Sequence, residues 1–100
     1  MRFTQIILRH MPRSEALSDR IREVSEKLEL QHPRINNIRV VVESTGSHQR
    51  KGHEYLVSVH VHLPGREIVA NRHQHEDVYV ALRDAFSAVE HQLEPERQAA

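Results

Sequence analysis

The stretch from Pro64 to Phe86, PGREIVANRHQHEDVYVALRDAF, runs through a turn, a strand, a histidine-rich loop and a helix start in direct succession. Pro64-Gly65 makes a tight turn. Glu67 to Arg72 reads as a short strand with Ile68 and Ala70 on its inward face. Glu76 and Asp77 then supply the acids that belong in the first turn of a helix, where they complement the dipole and cap free amides. That helix is predicted from about Glu76 to Leu93, with Val78, Leu82, Ala85 and Val89 as its buried stripe, flanked by Phe86 and Leu93. Pro95 cannot donate the next helical hydrogen bond, so the helix is predicted to end by Glu94 and residues 95–100 to form a short polar tail.

Upstream of this stretch, Tyr55 to Leu63 alternates strictly. Tyr55, Val57, Val59, Val61 and Leu63 point inward, and Ser58, His60 and His62 point outward. Ile38 to Ser44 is a further strand, with Ile38, Val40 and Val42 on one face. The glycine-bracketed loop Gly46 to Gly52 joins these two strands as a hairpin. In Ser14–Gln31, Leu17, Ile21, Val24 and Leu28 recur at helical spacing behind a Ser14 N-cap, and His32-Pro33 stops that helix. Phe3 to Leu8 is the first strand, carrying Thr4, Ile6 and Leu8 on one face. Residues 1–94 therefore form one α+β domain, a two-layer sandwich in which a four-stranded mixed sheet packs on two helices in the order β-α-β-β-β-α. The first strand–helix–strand crossover makes strands one and two parallel, and hairpins make the remaining pairs antiparallel.

One hundred residues suit a single modest core. The chain has no Cys, which excludes disulfide and thiolate chemistry and favours a cytoplasmic location. The N-terminal apolar run, Ile6 to Leu8, is too short for a signal peptide or a membrane span. Fourteen Lys and Arg balance fourteen Asp and Glu, while nine His add charge on mild acidification. There is no Gly-x-Gly-x-x-Gly, no Walker-type loop, no Gly-x-Ser-x-Gly elbow and no recognisable nucleophile. The expectation is a non-enzymatic protein with no cofactor, no small-molecule substrate and no membrane partner.

The remaining chemistry lies on the surface. Arg13, Arg20 and Lys27 stand seven residues apart along one flank of the first helix, with Glu15, Asp19, Glu26 and Glu29 on its outer face. Arg50 and Lys51 lie in the long hairpin loop, Arg39 points outward from strand two, Arg72 ends strand four and Arg83 lies on the second helix. Together these bases read either as a mixed-charge solvated surface or as a face that tracks phosphates. The aromatic residues Phe3, Tyr55, Tyr79 and Phe86 are scattered, so backbone recognition of a nucleic acid would dominate over base stacking. His60 and His62, about 7 Å apart along one strand face, are weak zinc or copper candidates, with His73 and His75 able to add ligands.

Several motifs in order resemble those of the ribosome hibernation-promoting factor and ribosome-associated inhibitor family, also described as sigma-factor modulation proteins. They are Ser14-Glu15-Ala16-Leu17, Lys27-Leu28 with Arg34-Ile35, Leu63-Pro64-Gly65 with Glu67-Ile68, and Asp77-Val78-Tyr79-Val80-Ala81-Leu82-Arg83-Asp84. The resemblance spans strand one to about Leu93 and fits the short form of that family. It implies a fold arranged like double-stranded-RNA-binding domains, and binding to the small ribosomal subunit and its rRNA that blocks translation under stress. On this reading Arg13, Arg20, Lys27, Arg50, Lys51, Arg72 and Arg83 contact phosphates. His73 and His75 add charge at low pH, and the protein is a monomer or weak homodimer. The chain departs from the family at the end of the second helix, where Glu90, Glu94 and Glu96 stand in a region usually rich in Lys and Arg. Its alternative is a protein-interaction module on the same fold, acting through the histidine-lined sheet or an edge strand.

Overall fold

Alternation of β-branched and polar residues dictates the centre of the molecule. In the computed structural model, which describes residues 3–45 and 54–99 (side chains for 4–45 and 54–94), β2 (Asn37–Ser44) and β3 (Tyr55–Leu63) pair antiparallel with Val40 opposite Val59. Val40, Val42, Val57, Val59 and Val61 are fully buried on one face, while Arg39, Val41, Ser58, His60 and His62 occupy the other. The strands were expected at these positions because a period of two places every second side chain on the same face.

β1 (Phe3–Arg9) runs parallel to β2, pairing Ile6 with Val40 and Leu8 with Val42, so its apolar residues join the buried side. β4 (Arg66–His75) pairs antiparallel with β3, which completes a sheet of order β1-β2-β3-β4. α1 (Glu15–Gln31) and α2 (Val78–Ala99) cover the buried face, α2 across β3 and β4 and α1 toward β1. The predicted α+β two-layer sandwich, with its mixed four-stranded sheet, is the observed one.

Local signals account for the element ends. Ser14 Oγ accepts from Leu17 N–H at 3.2 Å and caps α1. At the other end the His32 N–H still donates to the Leu28 carbonyl before Pro33 ends the helix. Asp77 Oδ1 accepts from Tyr79 N–H at 2.9 Å and caps α2. Gly65 takes φ +76 behind Pro64, a conformation that L-residues with a Cβ adopt at a cost.

Three expectations need correction. The loop foreseen after Arg72 is strand: Asn71 and Arg72 face Ser58 together as a β-bulge, after which His73, Gln74 and His75 pair with Val57, Leu56 and Tyr55. The bulge absorbs one residue, so strand pairing continues where simple alternation would have ended it. The second helix continues to Ala99 instead of stopping by Glu94; Pro95 forgoes the hydrogen bond to the His91 carbonyl, yet the helix runs on past it near its open end. Glu29, assigned to the outer face of α1, is 9% exposed; it follows Ser25 by one turn on the flank opposite Arg20 and Lys27, and Ser25 is itself fully buried.

Candidate nucleic-acid interface

The described members of the foreseen phosphate-contacting set, Arg13, Arg20, Lys27, Arg72 and Arg83, fall on three separate surfaces. α1 and α2 lie side by side on the sheet but touch each other little, which leaves a groove of about 490 Å³ between them. Val24, Leu28, Leu82 and Phe86 form its apolar floor, and Arg20, Lys27 and Arg83 stand around it. The groove brings together Arg20 and Lys27, one heptad apart on α1, with Arg83 from the facing helix. The Arg20 guanidinium lies 5.9 Å from the centre of the Tyr79 ring, so a cation from α1 is held over an aromatic from α2.

Acids temper this groove. Arg20 Nε lies 3.9 Å from Glu23, Arg83 lies 3.3 Å from Asp84, and Glu90 lines the same cleft. These pairs are exposed and worth little as bonds, but they lower the local positive potential that a phosphate would meet.

Arg13 does not belong to this groove. It precedes the Ser14 cap, so helical spacing does not govern its position, and it lies beside Ile6, Leu8, Met11 and Arg22 on the other flank of α1. Arg72 sits on the open face of the sheet, with Arg9, Arg39, Ser58 and His60 around it. The Ser58 hydroxyl donates to Asn71 Oδ1 at 3.1 Å and accepts from the Arg72 N–H at 3.0 Å, which holds Arg72 at φ +57. Arg50 and Lys51 lie outside the described residues.

The histidines divide in the same way. His60 and His62 lie on the open face, where Glu67 Oε2 sits 3.5 Å from His60 Nδ1 and 3.2 Å from His62 Nε2. His73 and His75 pair with Val57 and Tyr55, whose side chains face the helices, so the bulge has placed them on the opposite side and they cannot complete a ligand set with His60 and His62. Among the described residues no group of three or more His, Asp or Glu is arranged to hold a metal ion. His75 Nδ1 accepts from the Asp77 N–H at 2.9 Å, a bond that uses an unprotonated nitrogen.

Two features of these surfaces escaped the reading of the sequence. Tyr79, read only as one of the scattered aromatics, is 42% exposed and lies beneath the Arg20 guanidinium. Arg9 was passed over, although it follows Leu8 and so falls on the outward face by strand alternation. Parallel pairing with Glu43 then places it on the arginine-bearing side of the sheet.

A four-stranded sheet with one open face, two helices on the other, and cations gathered in an interhelical groove define a small two-layer α+β protein with a cationic surface. The chain belongs to the family described as Sigma 54 modulation protein / S30EA ribosomal protein, whose model matches residues 4–99. This bears out the resemblance seen in its motifs. A ribosomal subunit interface protein from Coxiella burnetii has a similar fold, with a TM-score of 0.78 at 21% identity, over 96% of this chain and 98% of that one. The N-terminal domain of Protein Y from Thermus thermophilus is also similar, with a TM-score of 0.71 at 18% identity, over 95% of this chain and 98% of that one. No curated protein matches the chain by sequence. Among the described residues no helix is long and apolar enough to cross a membrane.

Proposed function

We propose that this protein is a non-enzymatic cytoplasmic factor that binds the small ribosomal subunit through rRNA phosphates and inhibits translation under stress. The observation that carries this reading is the family match across residues 4–99, on a chain whose interhelical groove gathers Arg20, Lys27 and Arg83. In this reading the three side chains neutralise backbone phosphates at the groove. Arg13, Arg50, Lys51 and Arg72 extend the contact from neighbouring surfaces, and His73 and His75 add charge at low pH. The protein acts as a monomer or weak homodimer. Release of counterions from neutralised phosphates supplies the affinity, so binding should weaken steeply with salt. Co-sedimentation with purified small subunits across a salt and pH series tests it. Binding that falls with rising salt supports the reading, and no salt-sensitive association at any pH from 6 to 7.5 would sink it.

A protein-interaction role on the same fold is favoured by one observation. Leu30, on the last turn of α1, is 79% exposed, a large apolar side chain open to solvent. A stoichiometric protein partner whose capture survives RNase would favour that reading over the first.

A further inference from the structure

The open face of the sheet carries a cationic site separate from the helical groove. Arg9 from β1, Arg39 from β2 and Arg72 from the β4 bulge line one depression of about 250 Å³, together with Ser58, His60 and Asn71. Among the described residues none of the three guanidinium groups forms an ion pair or a hydrogen bond with a carboxylate. Arg39 Nε is buried without a hydrogen-bond partner, a state that a folded protein normally avoids unless a missing acceptor completes it. The one carboxylate lining the depression, Glu43, lies 3.7 Å from His10 Nε2. Arg72 is also held in the left-handed backbone region, where a non-glycine residue is strained and persists only because its surroundings enforce it. Ser58 enforces it by bonding both bulge residues. In the helical groove, by contrast, Arg20 and Arg83 each have an acid within 4 Å.

We propose that this open face is a second phosphate-binding surface, on which Arg9, Arg39 and Arg72 hold the phosphodiester backbone of an RNA strand laid across the sheet. Register supports a strand over a compact anion. Arg39 pairs with Gln5 and Arg9 lies four residues further along β1, so the two are separated by about 13 Å along the strands. Arg72 stands opposite Ser58 on β4, three strands beyond β1, which adds about 14 Å across the sheet from Arg9. Guanidinium forks spread over this area reach separated phosphates of one strand and meet each with a bidentate contact. RNA as the source of these phosphates rests on the ribosomal reading; the cationic site does not.

The test uses the full chain, a fluorescein-labelled twelve-nucleotide oligouridylate and inorganic phosphate as probes, and the variant Arg9→Gln/Arg39→Gln/Arg72→Asn. Asn tolerates the left-handed backbone at residue 72. Amide NMR titration with the oligonucleotide should shift Arg39, Ser58 and Arg72, and the triple variant should flatten the slope of log affinity against log salt by about 2. The proposal is overturned if the oligonucleotide shifts groove amides alone, or if the variant keeps the wild-type slope. It is also overturned if inorganic phosphate or a polyglutamate peptide of equal charge binds the sheet as tightly as the oligonucleotide. Should the triple variant lose its folded spectrum, Arg39→Gln alone carries the same test, with a slope change of about 0.7. Small-subunit co-sedimentation of the wild type separates the two readings. Its failure removes the ribosomal reading while the NMR map still decides the sheet site, and its success with an unaffected triple variant removes only the sheet site.

Discussion

Three described residues, His10, Gly65 and Arg72, sit in the left-handed backbone region, and the last two do so for opposite reasons. Gly65 takes φ +76 at the β3–β4 turn, and a Cβ placed there would meet no atom within 4 Å. The penalty of Gly65→Ala is therefore conformational alone. Urea denaturation should show a loss of about 1–2 kcal/mol. Arg72 occupies a similar conformation, φ +57, with a side chain that gains nothing from it in the free protein. Arg72→Gly should raise stability by up to about 1 kcal/mol and yet weaken RNA binding. A variant that is destabilised instead would mean that the arginine side chain supports the bulge. The histidines make the companion point: Glu67 Oε2 lies within 3.5 Å of His60 Nδ1 and 3.2 Å of His62 Nε2, so a cross-strand carboxylate ties the two together on the open face.

Both helices are tied down at their starts by capping side chains. The caps Ser14 and Asp77 each satisfy a helix-terminal N–H that has no partner within the helix. Asp77→Ala should cost about 1 kcal/mol in chemical denaturation, and Asp77→Asn much less, because Asn caps equally well. The helices touch each other little and leave the cationic groove open between them. Replacing Arg20, Lys27 and Arg83 by Gln should leave thermal stability nearly unchanged, since exposed ion pairs are worth little. Small-subunit binding in the same triple variant should lose about 2 from its salt slope. An unchanged slope would remove the groove from the interface. Both helix starts were legible in the sequence, because a capping side chain next to an apolar period is a local signal. The bulge was not, since Asn71 and Arg72 look like strand residues until Ser58 on the neighbouring strand captures both.

At the scale of the molecule, one core holds both candidate surfaces apart. Ile21 of α1, Val59 of β3 and Val89 of α2 are fully buried in the same cluster. Ile21→Ala should therefore cost about 2–5 kcal/mol and lower the melting temperature by more than about 10 °C in calorimetry. A much smaller loss would mean that α1 packs loosely on the sheet. The order of the six elements, the inward face of every strand up to the bulge and the apolar stripe of both helices could be read from the chain, because periods of two and 3.6 residues are carried by near neighbours. What only the tertiary structure decided is which cations share a surface. Arg13, Arg20 and Lys27 look like one line in sequence, but the Ser14 cap starts the helix after Arg13 and separates it from the others. Arg9, Arg39 and Arg72 are scattered in sequence, and parallel pairing, antiparallel pairing and one bulge bring them to a single depression. Local periodicity specifies the face on which a side chain lies. Its neighbours across that face depend on strand register and helix packing, which bring together residues far apart in the chain.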